Sequence, residues 1–242
     1  HTADFDKGHI NSNAIVGANV PLGTGAGLSI KQRGEDRISV NFFGDGGLNQ
    51  GILYESMNMA ALWDLPVVFV VVNNQYGMGT HIEDASASQQ FAKRAETFGL
   101  HGFEANGMDV EEMAEISKKA FELARSGEGP AFIEGKCYRF FGHGRKDDSP
   151  YRDDEEEKRW RQEDPIDRQK QRLIEEEIMT EADYEQMVDD VQQKMDDAAE
   201  WAEDSPHPDL KSMVEGVYAE TFPGDPTPGD LENLHITNGS ES

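Results

Sequence analysis

Two short stretches hold the residue types that could do chemistry. FFGDGGLNQG (Phe42–Gly51) sets a carboxylate, Asp45, between glycines directly after an apolar run. VVVNNQYGMG (Val70–Gly79) sets two amides, Asn73 and Asn74, directly after the following one. Carboxylate and amide oxygens are hard donors that suit Mg2+ or Ca2+, and no thiolate or imidazole stands beside them to favour zinc. Magnesium keeps few protein oxygens and completes its octahedron with phosphate and water. Gly46 and Gly47 fall where a helix is expected to open, and there unpaired N–H groups and the helix dipole attract phosphate. The combination implies a metal-bridged diphosphate. Either half alone is a common turn, so the pairing carries the weight. A third candidate is His143 in FFGHG, since histidine is the side chain suited to moving protons near neutral pH.

The elements that must position these residues are legible as alternating strands and helices. Ile38–Phe43 reads as a strand, Leu48–Trp63 as a helix, and Val67–Val72 as an unbroken β-branched and aromatic run of the kind covered on both faces. Residues 47–72 thus form one βαβ step, which can bring the two strand ends side by side. In an open parallel sheet, ligands bind at the carboxyl ends of strands, near the point where strand order reverses. Asp109, with Glu112 three residues on and Met108 and Met113 as a staple, opens a further helix. Met113, Ile116, Ala120 and Leu123 form its apolar face. Gly127 and Gly129 end it before a strand over Ala131–Phe140. The fold class is α/β, a doubly wound parallel sheet with C-terminal helices. PLGTGAGLSIK (Pro21–Lys31) resembles a phosphate loop but lacks the Gly-Lys-Ser/Thr ending, so its glycines are expected to serve close helix packing.

Past Gly144 the composition shifts. Arg145–Glu157 reads as a charged loop, Asp164–Pro165 as the start of a helix, and Thr180 as the start of a longer one. In that longer helix Tyr184, Val188, Val191, Met195, Ala198 and Ala202 repeat at alternating four and three. This is a seam for another helix or, more simply, an internal packing face. The expected organisation is a core over 1–144, a charged loop and C-terminal helices over 145–221, and a disordered acidic tail over 222–242.

The 242 residues carry a net charge of -26, which argues against nucleic-acid binding. Of the 48 acids, 30 lie in residues 143–242, on segments read as solvated helices; a high-salt cytoplasm would screen them. The longest apolar run, Pro66–Val72, is too short for a bilayer, and no leader-like segment opens the chain. The single cysteine, Cys137, reads as a buried strand thiol and fits a cytoplasmic location. The start at His1, without methionine, reads as a fragment or processed product.

GDG and NN separated by 26 residues resembles the signature of thiamine-diphosphate enzymes. HTADFDKG, NAIVGANVPLGTGAG, GDGGLNQG, NMAALWDLPVVFVVVNNQYGMGT and RFFGHGRKDDSPYR extend the resemblance, in order, over about residues 1–205. They resemble the alpha subunit of the thiamine-dependent first component of 2-oxo acid dehydrogenase complexes, whether of pyruvate, branched-chain or acetoin type. The resemblance implies the thiamine-diphosphate-binding fold. It implies that Mg2+ is held by the side chains of Asp45 and Asn74 and by the backbone carbonyl of Tyr76. It assigns the diphosphate to the amides of Gly46 and Gly47, and the lining of the cofactor to Val16. His143 matches an active-site histidine beside the cofactor. Gly144 follows it where mitochondrial pyruvate-type members carry a phosphorylatable serine, so that switch looks absent, although Ser149 is nearby. Ala14 stands where the family often has glycine.

The implied activity is that of an oxidoreductase with a lipoyl acceptor. It cleaves the carbon–carbon bond beside the carbonyl of a 2-oxo acid or acetoin and passes the acyl unit to a lipoyl carrier. The implied partners are a beta subunit, in a heterotetramer of two alpha and two beta chains, and a lipoyl-bearing acyltransferase. HTADFDKG and RFFGHG lean towards acetoin, NNQYGMGT towards pyruvate. A transketolase- or decarboxylase-type enzyme and a non-catalytic phosphate-binding module are the alternatives.

Overall fold

Alternate residues of one apolar strand face two different cores, and this organises the fold. In the computed structural model, which describes residues 1–208 and Ser212, the chain divides into a first unit, His1–Met179, and a second beginning at Thr180. The first unit opens with an antiparallel hairpin, β1 (Thr2–Asp4) and β2 (His9–Ser12), and then α1 (Asn19–Arg33). β3 (Ser39–Gly44) leads through a 3-10 turn (Asp45–Asn49) into α2 (Gly51–Leu62) and β4 (Val67–Asn73). A second hairpin, β5 (Tyr76–Gly77) and β6 (Thr80–His81), precedes α3 (Ile82–Ala85) and α4 (Phe91–Glu96). β7 (His101–Asn106), α5 (Val110–Ser126), β8 (Ala131–Lys136), α6 (Asp154–Arg161) and α7 (Pro165–Glu175) follow.

The main sheet has the order β3-β4-β8-β7, with every pairing parallel. Val67, Phe69 and Val71 of β4 pack with Val20, Leu53, Met57 and Phe91 from helices on one face. Val68 and Val70 pack with Ala120 and Ala124 of α5 on the other. Both faces are therefore dry, which is why β4 reads as a continuous apolar run. The α/β class with a helix-flanked parallel sheet is as expected. So is the use of the α1 glycines: a Cβ built on Gly27 would lie 2.3 Å from Val67 Cγ2, so α1 sits on the sheet at a distance only glycine permits.

Three local readings are corrected. The strand that begins at Ala131 ends at Lys136 rather than Phe140, because Arg139 is drawn out of strand geometry by the carbonyls of Tyr76 and Met78. The helix expected from Leu48 starts at Gly51, since Asp45–Asn49 wind into the tighter turn first. The segment read as a charged loop over Arg145–Glu157 contains the start of α6, which Asp153 caps by accepting from Glu155 N–H. Its acidic first turn and basic last turn complement the helix dipole.

The cap at Asp109 is present, accepting from the N–H groups of Glu111 and Glu112 at 3.0 and 3.2 Å. Glu112 does not close the box; its carboxylate accepts from Asn106 N–H instead. Arg168 and Arg172 of α7 bind the same Asp109 carboxylate at 2.8 and 3.2 Å, tying α7 to the core. The Arg172 guanidinium and the helix N–H of Glu112 hold the Asp109 carboxyl below its ordinary range.

The second unit is described chiefly by α8 (Glu181–Asp204), opened by a reciprocal Thr180–Asp183 capping box. Within the four-and-three repeat of α8, Val188, Val191 and Met195 are exposed. The tail expected to be disordered, 222–242, lies outside the described residues. Among the described residues no helix is long and apolar enough to cross a membrane.

Candidate functional site

The carboxyl ends of β3, β4 and β8 meet above the sheet. Gly44 pairs with Val72, and Asn73 pairs with Lys136, so the residues that follow each strand emerge at one edge. Asp45 begins the turn after β3, and its side chain is all but buried, at 2% exposed. Its Oδ1 accepts from Gly46 N–H at 2.8 Å, while Oδ2 is buried with no hydrogen-bond partner among the described residues. Burial pushes the Asp45 carboxyl above its usual pKa, against the opposing pull of the Gly46 N–H and the Arg139 guanidinium. A buried carboxylate oxygen without a partner is costly in a folded protein and marks a place where a ligand belongs.

The two asparagines divide their tasks. Asn73 is buried, and its Nδ2 donates to Glu134 Oε1 at 2.7 Å, inside the sheet. Asn74 is half-buried, faces the cavity, and its Oδ1 accepts from Tyr76 N–H at 3.2 Å. The loop they enter is strained: Gln75 and Met78 take φ of 75° and 58°, rare for residues with a side chain. It also touches the Asp45 turn, since a Cβ on Gly77 would meet Gly46 Cα at 3.2 Å and approach Asp45 Oδ1 at 4.0 Å. The Asp45 turn and the Gly77 part of the loop after β4 are thus closely apposed.

A cavity of about 1080 Å³ opens here. Asp45, Gly46, Gly47, Asn74 and Tyr76 line it from the strand ends. Val16, exposed in the turn before α1, and His143, exposed on its loop, line it too. All seven residues singled out from the sequence therefore border one space. Gly46 and Gly47 do so from the 3-10 turn rather than from the first turn of α2, and Gly46 N–H is engaged by Asp45.

Arg139, which falls inside the strand expected over Ala131–Phe140, organises the site. Its guanidinium donates to the carbonyls of Tyr76 (3.0 Å), Met78 (2.7 Å) and Phe141 (3.1 Å) and to Tyr151 Oη (2.9 Å). Tyr151 O–H in turn donates to Asp147 Oδ2 at 2.6 Å, which also accepts from His143 N–H at 2.8 Å. The Tyr151 hydroxyl, then the N–H groups of His143 and Ser149, hold the Asp147 carboxyl down at about 2. One chain of hydrogen bonds thus joins the Asn74–Gly79 loop to the loop that carries His143. Cys137 lies just past the end of β8 and is half-buried rather than a buried strand thiol; burial, and then Asp45, push its thiol up to about 11. Such a thiol is not a nucleophile at neutral pH.

Among the described residues no three His, Cys, Asp or Glu side chains gather to hold a metal. The side chains of Asp45 and Asn74 that line the cavity are instead a carboxylate and an amide, hard oxygen donors of the kind that leave a cation positions for phosphate and water.

Comparison with known proteins converges on one family. A family model described as dehydrogenase E1 component matches residues 2–211. The chain is 41% identical over 218 residues to the pyruvate dehydrogenase E1 component subunit alpha of Rhizobium meliloti, covering 90% of this chain and 63% of that protein. The protein of the same name from Rickettsia bellii is 38% identical over 218 residues, covering 90% of this chain and 67% of that protein. The somatic-form mitochondrial alpha subunit of Rattus norvegicus is 37% identical over 221 residues, covering 90% of this chain and 56% of that protein. The chain spans 56–67% of the length of these relatives.

Proposed function

The chain belongs to the dehydrogenase E1 component family, and on that premise we propose that it is the alpha-subunit part of a thiamine-diphosphate- and Mg2+-dependent dehydrogenase acting on pyruvate. The observation that carries the proposal is the buried Asp45 Oδ2, without a partner among the described residues, at the rim of a cavity that Asn74 and Tyr76 also line. Asp45 and Asn74 hold the cation through their side chains and Tyr76 through its carbonyl. Gly46 and Gly47 lack side chains that would keep a diphosphate off the backbone. Val16 lines the body of the cofactor. Thiamine diphosphate, when bound, supplies the nucleophilic carbon and the electron sink for cleavage beside a carbonyl.

His143, held by its backbone to Asp147, orients the substrate or the incoming lipoyl arm, or moves a proton beside them. The acyl unit passes to the lipoyl group of an acyltransferase partner. A beta subunit completes the site in a heterotetramer of two alpha and two beta chains. Pyruvate is favoured over acetoin and branched-chain acids because the similar relatives carry that name. A cytoplasmic location completes the reading.

The test is co-expression of the full-length subunit with its beta subunit and assay of pyruvate, branched-chain 2-oxo acids and acetoin with an artificial electron acceptor. Turnover of pyruvate should require both thiamine diphosphate and Mg2+. Turnover indifferent to either overturns the proposal, and preference for acetoin overturns the substrate. Asn74→Ala should lose cofactor binding and turnover together, whereas His143→Ala should lose turnover and keep cofactor binding.

A further inference from the structure

Five consecutive acids, Asp153–Glu157, look like a solvated helix start, yet one of them points inward. The Glu156 side chain is only 15% exposed. Its Oε2 accepts from Tyr76 O–H at 2.7 Å, and its Oε1 lies 3.8 Å from His81 Nε2. Tyr76 and His81 are cross-strand partners in the β5–β6 hairpin, with their rings edge to face at 4.9 Å. His81 Nδ1 accepts from Glu83 N–H, so the ring proton sits on Nε2, on the side of the carboxylate. One carboxylate therefore binds the Tyr76 strand of the hairpin and lies beside the His81 strand.

The hairpin needs that support. Each strand is two residues long; Gln75, just before the hairpin, and Met78, in its turn, both take positive φ despite their side chains. Such a unit is not stable on its own. Arg139 grips it at the Tyr76 carbonyl, and Glu156 grips it at the other end of the same residue. Glu156 is itself held in place, because Trp160, one turn along α6, stacks on Tyr138 at 5.4 Å with planes 9° apart.

We infer that Glu156 is a positioning residue for the cation site, acting through the Tyr76 phenol to fix the direction of the Tyr76 carbonyl. The inference rests on the reading that this carbonyl serves the metal. Groups that orient metal ligands from behind are worth about 10- to 100-fold in metal affinity, and an effect relayed along a side chain belongs at the lower end.

The experiment is Mg2+ titration by calorimetry of the full-length subunit assembled with its beta subunit, at saturating thiamine diphosphate and without substrate. Glu156→Ala should weaken Mg2+ binding about tenfold. Tyr76→Phe, which keeps the carbonyl and removes only the hydroxyl, should weaken it equally. The double variant should be no worse than either single, because both remove one bond. Glu156→Gln, which keeps an acceptor for the phenol, should recover most of the affinity. Additive losses, or Mg2+ affinity within twofold of wild type (~2-fold being the scatter of such comparisons), overturn the inference. A lowered melting temperature with unchanged affinity also overturns it, by making Glu156 merely structural. If Glu156→Ala does not fold, Tyr76→Phe and Glu156→Gln still decide the matter. Absence of Mg2+-dependent cofactor binding in the wild type defeats the proposed function, and this inference with it, before any variant is compared.

Discussion

Asp45→Asn should change the sign of its effect on stability when ligand is added. Without ligand, the Asp45 carboxylate is buried, with Oδ1 bonded to Gly46 N–H and Oδ2 without a partner among the described residues. A buried polar group without a partner costs about 1–3 kcal/mol, and more when charged. Asparagine keeps the acceptor for Gly46 and removes the charge, but brings an amide N–H2 that also needs a partner. The net gain is about 1 kcal/mol, which for a chain of this size is a rise of about 2–4 °C in melting temperature. The gain should depend on pH. A carboxyl whose folded pKa is raised costs stability where it is ionised, and that cost disappears as pH falls through the raised value towards the ordinary one. The advantage of the variant should therefore fade in acid.

With Mg2+ and thiamine diphosphate present the order should invert. Wild type gains about 2.7 kcal/mol when free ligand is a hundredfold above its dissociation constant. The variant has lost the anionic donor and gains little. Thermal melting of the assembled full-length protein, with and without ligand at two pH values, checks this directly. A variant less stable than wild type without ligand would show that Asp45 is only a cap for its own turn. A variant stabilised by ligand as strongly as wild type would remove Asp45 from the cation site.

Two other perturbations probe the scaffold. Gly27→Ala sets a methyl 2.3 Å from the γ-carbon of the buried, β-branched Val67; it should cost about 1–3 kcal/mol in chemical denaturation, and a neutral result would refute the close packing of α1 on β4. Asp147→Asn should loosen the His143 loop: amide exchange at His143 and Ser149 should quicken while that of β3 and β4 stays unchanged. Because the Asp147 carboxyl is held at about 2, the wild-type loop keeps this support above the ordinary carboxylate value and loses it as pH falls through about 2.

What was readable along the chain was whatever the backbone decides locally. β4 announced itself by six apolar residues without a gap, because both its faces are covered. The caps at Asp109 and Thr180 were readable because an N-cap needs only its own next three residues. Asp45 and Asn74 stood out as polar groups at the ends of apolar strands. The end of β8 was not readable, since YRFF continues an aromatic, strand-like pattern and nothing nearby tells it to stop. What stops it is a guanidinium satisfying carbonyls more than 60 residues earlier in the chain, at Tyr76 and Met78. The start of α6 hides for another reason: its acids sit in a longer charge run, although four acids before three bases is the pattern a helix dipole favours.

The remaining step follows from register. Because Gly44 pairs with Val72 and Asn73 with Lys136, the first residues after β3, β4 and β8 must share one edge of the sheet. Placing the end of β8 at Lys136 is therefore enough to bring Arg139 beside Tyr76. From there Tyr151, Asp147 and the loop of His143 follow one hydrogen bond at a time. The Asn74–Gly79 loop and the histidine loop are thus not two features that happen to border one cavity. Both are held by the same arginine, so a change that disturbs Arg139 must reach both.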